Sequence, residues 1–350
     1  MGEQLSAREE AILLGLLMNF VKTREPVASK RLAEECAEGI SPATVRGILG
    51  RLEDAGFLSQ PHSSAGRVPT DRAYRYLAER VLNQAVQESD PEWEEVERLS
   101  ADGSLNAVAR QVSHTLAWRV RGLGFAVTPS VRELRLRSCE LVPLSAERVL
   151  WVVVSQAGQV LEAVLPMQEA FTHEELRWFS NYLSSAYAGR SFAEIRLHLQ
   201  SQIGAEEADC RLEIRQAMAL VAPYFTGQDP EREIFWDGAA WLLETPELAE
   251  NLAAVRSLLE SLQKKSQLLE LLDTLTRESV GPSRGMRVVM GDDWPDPAVR
   301  GLAMVLAPFG SELAGLGVLG IIGARSLRYD TTIPLVRRVA RLATLASARL

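Results

Sequence analysis

The chain has 350 residues, 47% apolar and 24% charged, the proportions of a folded protein long enough to bury two or three cores, which excludes wholesale disorder. A formal charge of -8 excludes a generally basic nucleic-acid binder, yet basic and acidic residues balance over residues 1–85. The acidic excess falls beyond them, so the N-terminal part is the better partner for phosphate.

Three cysteines, Cys36, Cys139 and Cys210, stand far apart without metal-ligand spacing and read as buried thiols in a reducing compartment. No apolar window reaches bilayer length and no basic-then-apolar leader is present, so a cytoplasmic address is expected.

In chain order, Leu5 to Thr23 is predicted as a helix. Ser6 and Glu9 form a capping box, and Ile12, Leu13, Leu16, Leu17 and Phe20 follow at helical spacing. A second short helix runs from Ser29 to Cys36 and turns at Gly39. Ser41 then caps a third helix with Pro42 at its first position, and Val45, Ile48, Leu49 and Leu52 make one apolar stripe up to Gly56. Phe57 and Leu58 begin a strand, Ser63 to Gly66 turns, and Val68 returns: a helix-turn-helix with a wing. Asp71 to Gln84 is again helical, and Gln87 to Pro91 reads as a linker.

Trp93 to Arg121 is predicted mostly helical. A meander follows at Leu134 to Val142, Val149 to Val154 and Val160 to Leu165, and helices fill Thr172 to Phe225. Trp241 to Leu243 reads as extended and Glu247 to Arg277 as helix. Strands return at Arg287 to Met290, Ala303 to Ala307 and Gly317 to Ile322, and a basic amphipathic helix runs from Pro334 to Leu350. Strands, helices, then strands again define a multidomain α+β chain whose second domain is interrupted by a helical insertion.

The helix after Ser41 carries the DNA-reading pattern. A helix entering the major groove buries one stripe and offers small or donor-bearing residues on the other. Its outward positions are Ala43, Thr44, Arg46, Gly47, Gly50 and Arg51, where each glycine costs an isolated helix about 1 kcal/mol relative to alanine. Arg46 is the candidate for a base edge; Ser41, Thr44 and Arg51 suit phosphate. On the wing, Ser63, Ser64 and Arg67 are candidates for phosphate or the minor groove, and Arg72 extends the footprint, although a solvated face explains Arg72 equally well.

These segments resemble the HrcA family of heat-inducible transcription repressors. The resemblance rests on Leu5-Ser6-Ala7-Arg8-Glu9-Glu10-Ala11-Ile12-Leu13, on Ser41-Pro42-Ala43-Thr44-Val45-Arg46, and above all on Gln60-Pro61-His62-Ser63-Ser64-Ala65-Gly66-Arg67-Val68-Pro69-Thr70. It extends more loosely to Asp237-Gly238, Thr245-Pro246-Glu247-Leu248, and Gly317 to Gly323 with Arg325 and Tyr329. It implies a winged-helix domain over 1–88, a helical linker over 89–122, a GAF-like domain over 123–169 and 228–350, and an inserted dimerisation domain over 170–227. It further implies a homodimer that represses chaperone and chaperonin operons at an inverted-repeat operator, the CIRCE element. The chaperonin GroEL would promote that repressor and heat stress would release it. Gly47 departs from the family, which usually has Asn there.

Other signals are weaker. Gly315 to Gly320 matches a dinucleotide fingerprint but leads into a strand instead of opening a helix. Asp292, Asp293 and Asp296 read as a solvated turn, and no cofactor or metal is expected. Trp178, Phe179, Tyr182 and Tyr187 suit a dimer seam or packing within one subunit. No nucleophile-base spacing or phosphate loop supports an enzyme. The rival reading is a regulator that senses a small molecule through its GAF-like domain.

Overall fold

The computed structural model describes residues 5–36, 40–62, 66–84, 105–130, 132, 134–156, 160–167, 170–203, 212–226, 232–263, 269, 285–294, 296–311 and 315–347. The chain mixes helices and antiparallel sheets, an α+β fold.

The N-terminal head comprises α1 (Ala7–Thr23), α2 (Ser29–Cys36), α3 (Pro42–Asp54), β1 (Leu58–Ser59), β2 (Val68–Pro69) and α4 (Asp71–Asn83). Local chemistry accounts for its edges. Ser6 and Glu9 close the capping box of α1, Ile12, Leu13, Leu16 and Leu17 are buried, and Arg24 ends the helix in the left-handed conformation at φ 59°. β1 pairs with β2 antiparallel, Leu58 opposite Pro69, and Arg67 bonds in both directions with the backbone of Val27. Gly66 permits that approach, since a Cβ there would lie 2.5 Å from the Val27 carbonyl oxygen.

The body is a five-stranded antiparallel sheet in the order β7-β3-β10-β9-β8, formed by β3 (Leu123–Val127), β7 (Ile234–Asp237), β8 (Arg287–Met290), β9 (Leu302–Ser311) and β10 (Gly315–Ala324). One face packs on α5 (Leu105–Val120) and α12 (Tyr329–Ser347). The other packs on α9 (Ala239–Glu244), α10 (Pro246–Ala249) and α11 (Leu252–Gln263). α12 starts five residues ahead of the expected Pro334; inside the second turn a proline removes one backbone bond without stopping the helix. Residues 241–243, expected to be extended, lie instead in α9 behind Gly238, whose φ of 81° sets the entry to the helix.

Between β3 and β7 lies a separate unit. Its strands β4 (Leu136–Ser145), β5 (Arg148–Ser155) and β6 (Val160–Pro166) form their own three-stranded sheet. That sheet is backed by α6 (His173–Tyr187), α7 (Phe192–Ile203) and α8 (Leu212–Thr226). Cys139, Leu141, Trp151 and Val153 share a core with Leu176, Phe179 and Leu183. The meander therefore packs with the helices that follow it, and does not join the five-stranded sheet with which the sequence grouped residues 123–169. The opposite face of the three strands carries Val142, Leu150, Val152, Val154, Val160 and Val164, with Glu140 and Glu162 on either side of Val152, and Val160 is 62% and Val164 53% exposed. Phe179 and Tyr187 are buried inside the unit, while Trp178 stacks on Tyr182 near the surface.

Head and body share one continuous apolar core, in which Tyr74, Leu77 and Val81 of α4 join Tyr329, Ile333 and Val336 of α12. A polar network borders it. Arg24 Nη1 lies 2.8 Å from Glu247 Oε2 and also donates to Ser326, whose hydroxyl donates to the same carboxylate. Arg325 reaches both Asp71 at 3.1 Å and Glu247 at 3.5 Å. Arg75 pairs with Asp293 at 2.9 Å, and Arg337 donates to the Leu82 and Gln84 carbonyls.

Candidate nucleic-acid interface

The surface of α3 is built from its cap outward. The Ser41 hydroxyl accepts from the Thr44 N–H at 3.2 Å and lies 3.0 Å from the Thr44 hydroxyl, fixing both oxygens at the start of the helix. Val45, Ile48, Leu49 and Leu52 are all buried against α1 and α2, so the orientation of α3 is set from beneath. Ser41, Pro42, Ala43, Thr44, Arg46 and Gly47 are exposed together at its N-terminal end. A Cβ added at Gly47 or at Gly50 meets no atom within 4 Å. Packing among the described residues thus gives no reason for either glycine, although each weakens the helix.

The arginines divide into two groups. Arg46 is exposed and makes no ion pair among the described residues. Arg51 lies against Glu9, its Nε 2.8 Å from Oε1, and its guanidinium together with Ser6 holds the Glu9 carboxyl down at about 2. Arg67 does not extend from the wing tip. Its side chain folds back so that Nε approaches Glu53 at 2.8 Å, a charge contact without the alignment of a hydrogen bond, and only 20% of it is exposed. Arg72 stays exposed but lies along the head, donating to the Ala55 carbonyl and 4.6 Å over the Phe57 ring, where it clasps the turn that ends α3.

Ser41, Thr44 and Arg46 are therefore brought together on one open surface. Arg51, Arg67 and Arg72 have partners in the head, and Ser63 and Ser64 lie outside the described residues. Glu9, read in the sequence only as part of a cap, and Glu53 hold two of the candidate arginines, pairings without a local sequence signal: Arg51 lies 42 positions from Glu9. The weaker motifs find structural roles. A Cβ at Gly317 would strike the Phe309 ring and one at Gly320 the Val305 carbonyl, so those glycines serve close strand packing. Asp293 pairs with Arg75, Asp292 with Arg300, and Asp296 accepts from Ser257 and Ala298. No helix among the described residues is long and apolar enough to cross a membrane.

Comparison with known proteins defines the class as a transcription regulator. The family description "HrcA protein C terminal domain" matches residues 106–333. The chain is 32% identical over 345 residues to the heat-inducible transcription repressor HrcA of Nitratidesulfovibrio vulgaris, covering 97% of this chain and 96% of that one. It is 31% identical to the protein of the same name from Xanthomonas euvesicatoria, covering 96% and 94%. This chain belongs to the HrcA family. Its fold is also similar to a crystal structure of a hypothetical protein, with a TM-score of 0.62 and 20% identity over 99% of both chains.

Proposed function

We propose that this chain is a heat-inducible repressor that binds an inverted-repeat operator of the CIRCE type as a homodimer and shuts off chaperone and chaperonin operons. The observation that carries the reading is the outward face of α3, where Ser41, Thr44 and Arg46 stand beside two glycines that no packing among the described residues requires. Such a face suits close approach to base edges, with α3 in the major groove, Arg46 on a base, and Ser41 and Thr44 on phosphate. The names of the relatives, heat-inducible transcription repressors, support the same reading.

In this proposal the head is the winged-helix reader and the five-stranded body is the GAF-like domain. The dimerisation domain is the unit of residues 134–226, and its seam is the outer face of β4, β5 and β6, where valines and a leucine surround Glu140 and Glu162. Two of the four aromatic anchors expected on α6 are used inside the subunit, whereas that sheet face is open. Two-fold symmetry then matches a palindromic site. Ser63, Ser64, Arg51, Arg67 and Arg72 remain secondary DNA contacts, the last three after exchanging their partners in the head. The chaperonin GroEL promotes the DNA-binding form, and stress withdraws it.

Footprinting upstream of a chaperonin operon, with and without purified chaperonin, tests this. Protection of one inverted repeat, strengthened by chaperonin, is the expected result; absence of protection in both lanes refutes the repressor reading.

A further inference from the structure

β7 is an edge strand of the five-stranded sheet and, among the described residues, pairs with β3 alone. The Thr128 N–H donates to the Glu233 carbonyl at 3.0 Å, which sets the phase of that ladder. Phe235 and Asp237 are then the residues that exchange bonds with β3, and the N–H and C=O groups of Ile234 and Trp236 point away from the sheet. Beside this edge runs a groove of about 510 Å³ between α5 and β7, lined on the helix by Arg110 and His114 and on the strand by Phe235, Trp236 and Asp237.

The two sides of the edge differ in chemistry. On the α5 side the Arg110 guanidinium lies 4.7 Å over the Phe235 ring, held in the groove without a carboxylate partner among the described residues. The nearby Asp237 carboxylate is already matched by His114 and by the Gly238 N–H, which hold its pKa below the usual range. On the opposite side, Ile234 packs toward the second core and the Trp236 indole is 47% exposed. An added strand would place alternate side chains beside Arg110 and beside Trp236.

We propose that the α5–β7 groove is a docking site for an extended peptide segment of alternating acidic and apolar residues, added as a sixth strand on β7. Main-chain bonds to Ile234 and Trp236 supply the ladder, Arg110 receives the acidic side chains, and Trp236 covers the apolar ones. This site is remote from α3 and its proposal does not depend on the DNA-reading assignment.

The test uses the full chain and an acetylated, amidated peptide of sequence VEVEVEV, followed by calorimetry and tryptophan emission. Saturable binding is expected, about tenfold weaker for VKVKVKV, and lost when prolines replace two valines and remove ladder donors. Arg110→Glu is expected to invert the preference between the two peptides while leaving operator affinity unchanged and lowering melting slightly through the lost contact with Phe235, and Trp236→Phe to remove the emission change. Absence of binding, or binding indifferent to the proline and Arg110 changes, overturns the proposal. So does a peptide-induced halving of the sedimenting mass, because the edge would then belong to a seam between two copies of this chain.

Discussion

Arg24, at the left-handed end of α1, meets Glu247, in the first turn of α10, at 2.8 Å across 223 residues of sequence. Glu247 also faces Arg325 and Ser326, so a single carboxylate joins the head to two segments of the body. Glu247→Ala leaves two guanidiniums without their shared anion. Because both side chains of the main pair retain some solvent, at 34% and 25% exposure, the expected loss is about 1–3 kcal/mol instead of the larger cost of a sealed pair. Denaturant midpoints measure it. Hydrogen exchange should rise in α1 and α4 before it rises in β9; uniform exchange would show that the network does not hold the head.

The glycines of α3 give a prediction with two opposed signs. Gly47→Ala and Gly50→Ala enter open space, so each is expected to stabilise the fold by up to about 1 kcal/mol. If the helix lies against DNA, the same methyl groups weaken operator binding. Thermal melting and operator titration read the two effects separately, and unchanged operator affinity in both variants removes the glycines from the reading surface.

Arg46→Ala is expected to cost about 1–3 kcal/mol of operator affinity while leaving random DNA much less affected, as for a bidentate base contact. Arg67→Ala should behave otherwise. It removes the partner of Glu53 and loosens the seating of the wing, so its effect on operator binding should be accompanied by a lowered melting temperature. An Arg67→Ala protein that melts like the wild type and loses only salt-dependent DNA binding would place that side chain on phosphate instead.

Glu9 gives a pH dependence. Its carboxyl is lowered from 4.5 to about 2 in the fold, chiefly by Arg51 and then by Ser6. A depressed carboxylate favours the folded state above its unfolded pKa and loses that contribution as the pH falls toward the folded value. The stability difference between wild type and Glu9→Gln should therefore be constant above about pH 5 and shrink between about 4.5 and 2. Paired acid titrations followed by circular dichroism measure it.

The outer sheet face tests the proposed seam. Val160→Asp and Val164→Asp add charges of the same sign on either side of Glu162, on a surface that needs no repacking within the subunit, since both residues are more than half exposed. Sedimentation should report monomers of native stability. Dimers that survive both changes place the seam elsewhere.

What was legible in the sequence was mostly local chemistry. The box of Ser6 and Glu9, the Ser41 cap with Pro42, and the stripe of Val45 to Leu52 each bring their residues within one or two turns, and each forms as the spacing predicts. β3 escaped because Leu123–Val127 is buried on both faces and shows no alternation, and β7 because four residues are too few for a period. The meander was read correctly as three strands but grouped with the wrong sheet, because alternation identifies a buried face without identifying what covers it. The same limit applied to the arginines: residue type singled out Arg51, Arg67 and Arg72, while Glu9, Glu53 and the Ala55 carbonyl decide where they point.

The core that passes unbroken from α4 into α12 has a mechanical consequence. A reader hung on a slack tether could search for its half-site by itself, but this head can rotate only by breaking the contacts of Tyr74, Leu77 and Val81 with the body. In a two-fold assembly the span between the two copies of α3 would then be set far from α3, wherever the bodies and inserted units meet. A small tilt at that distant seam would be multiplied along a stiff arm, so the helical phasing of the operator and the geometry of the seam become one variable.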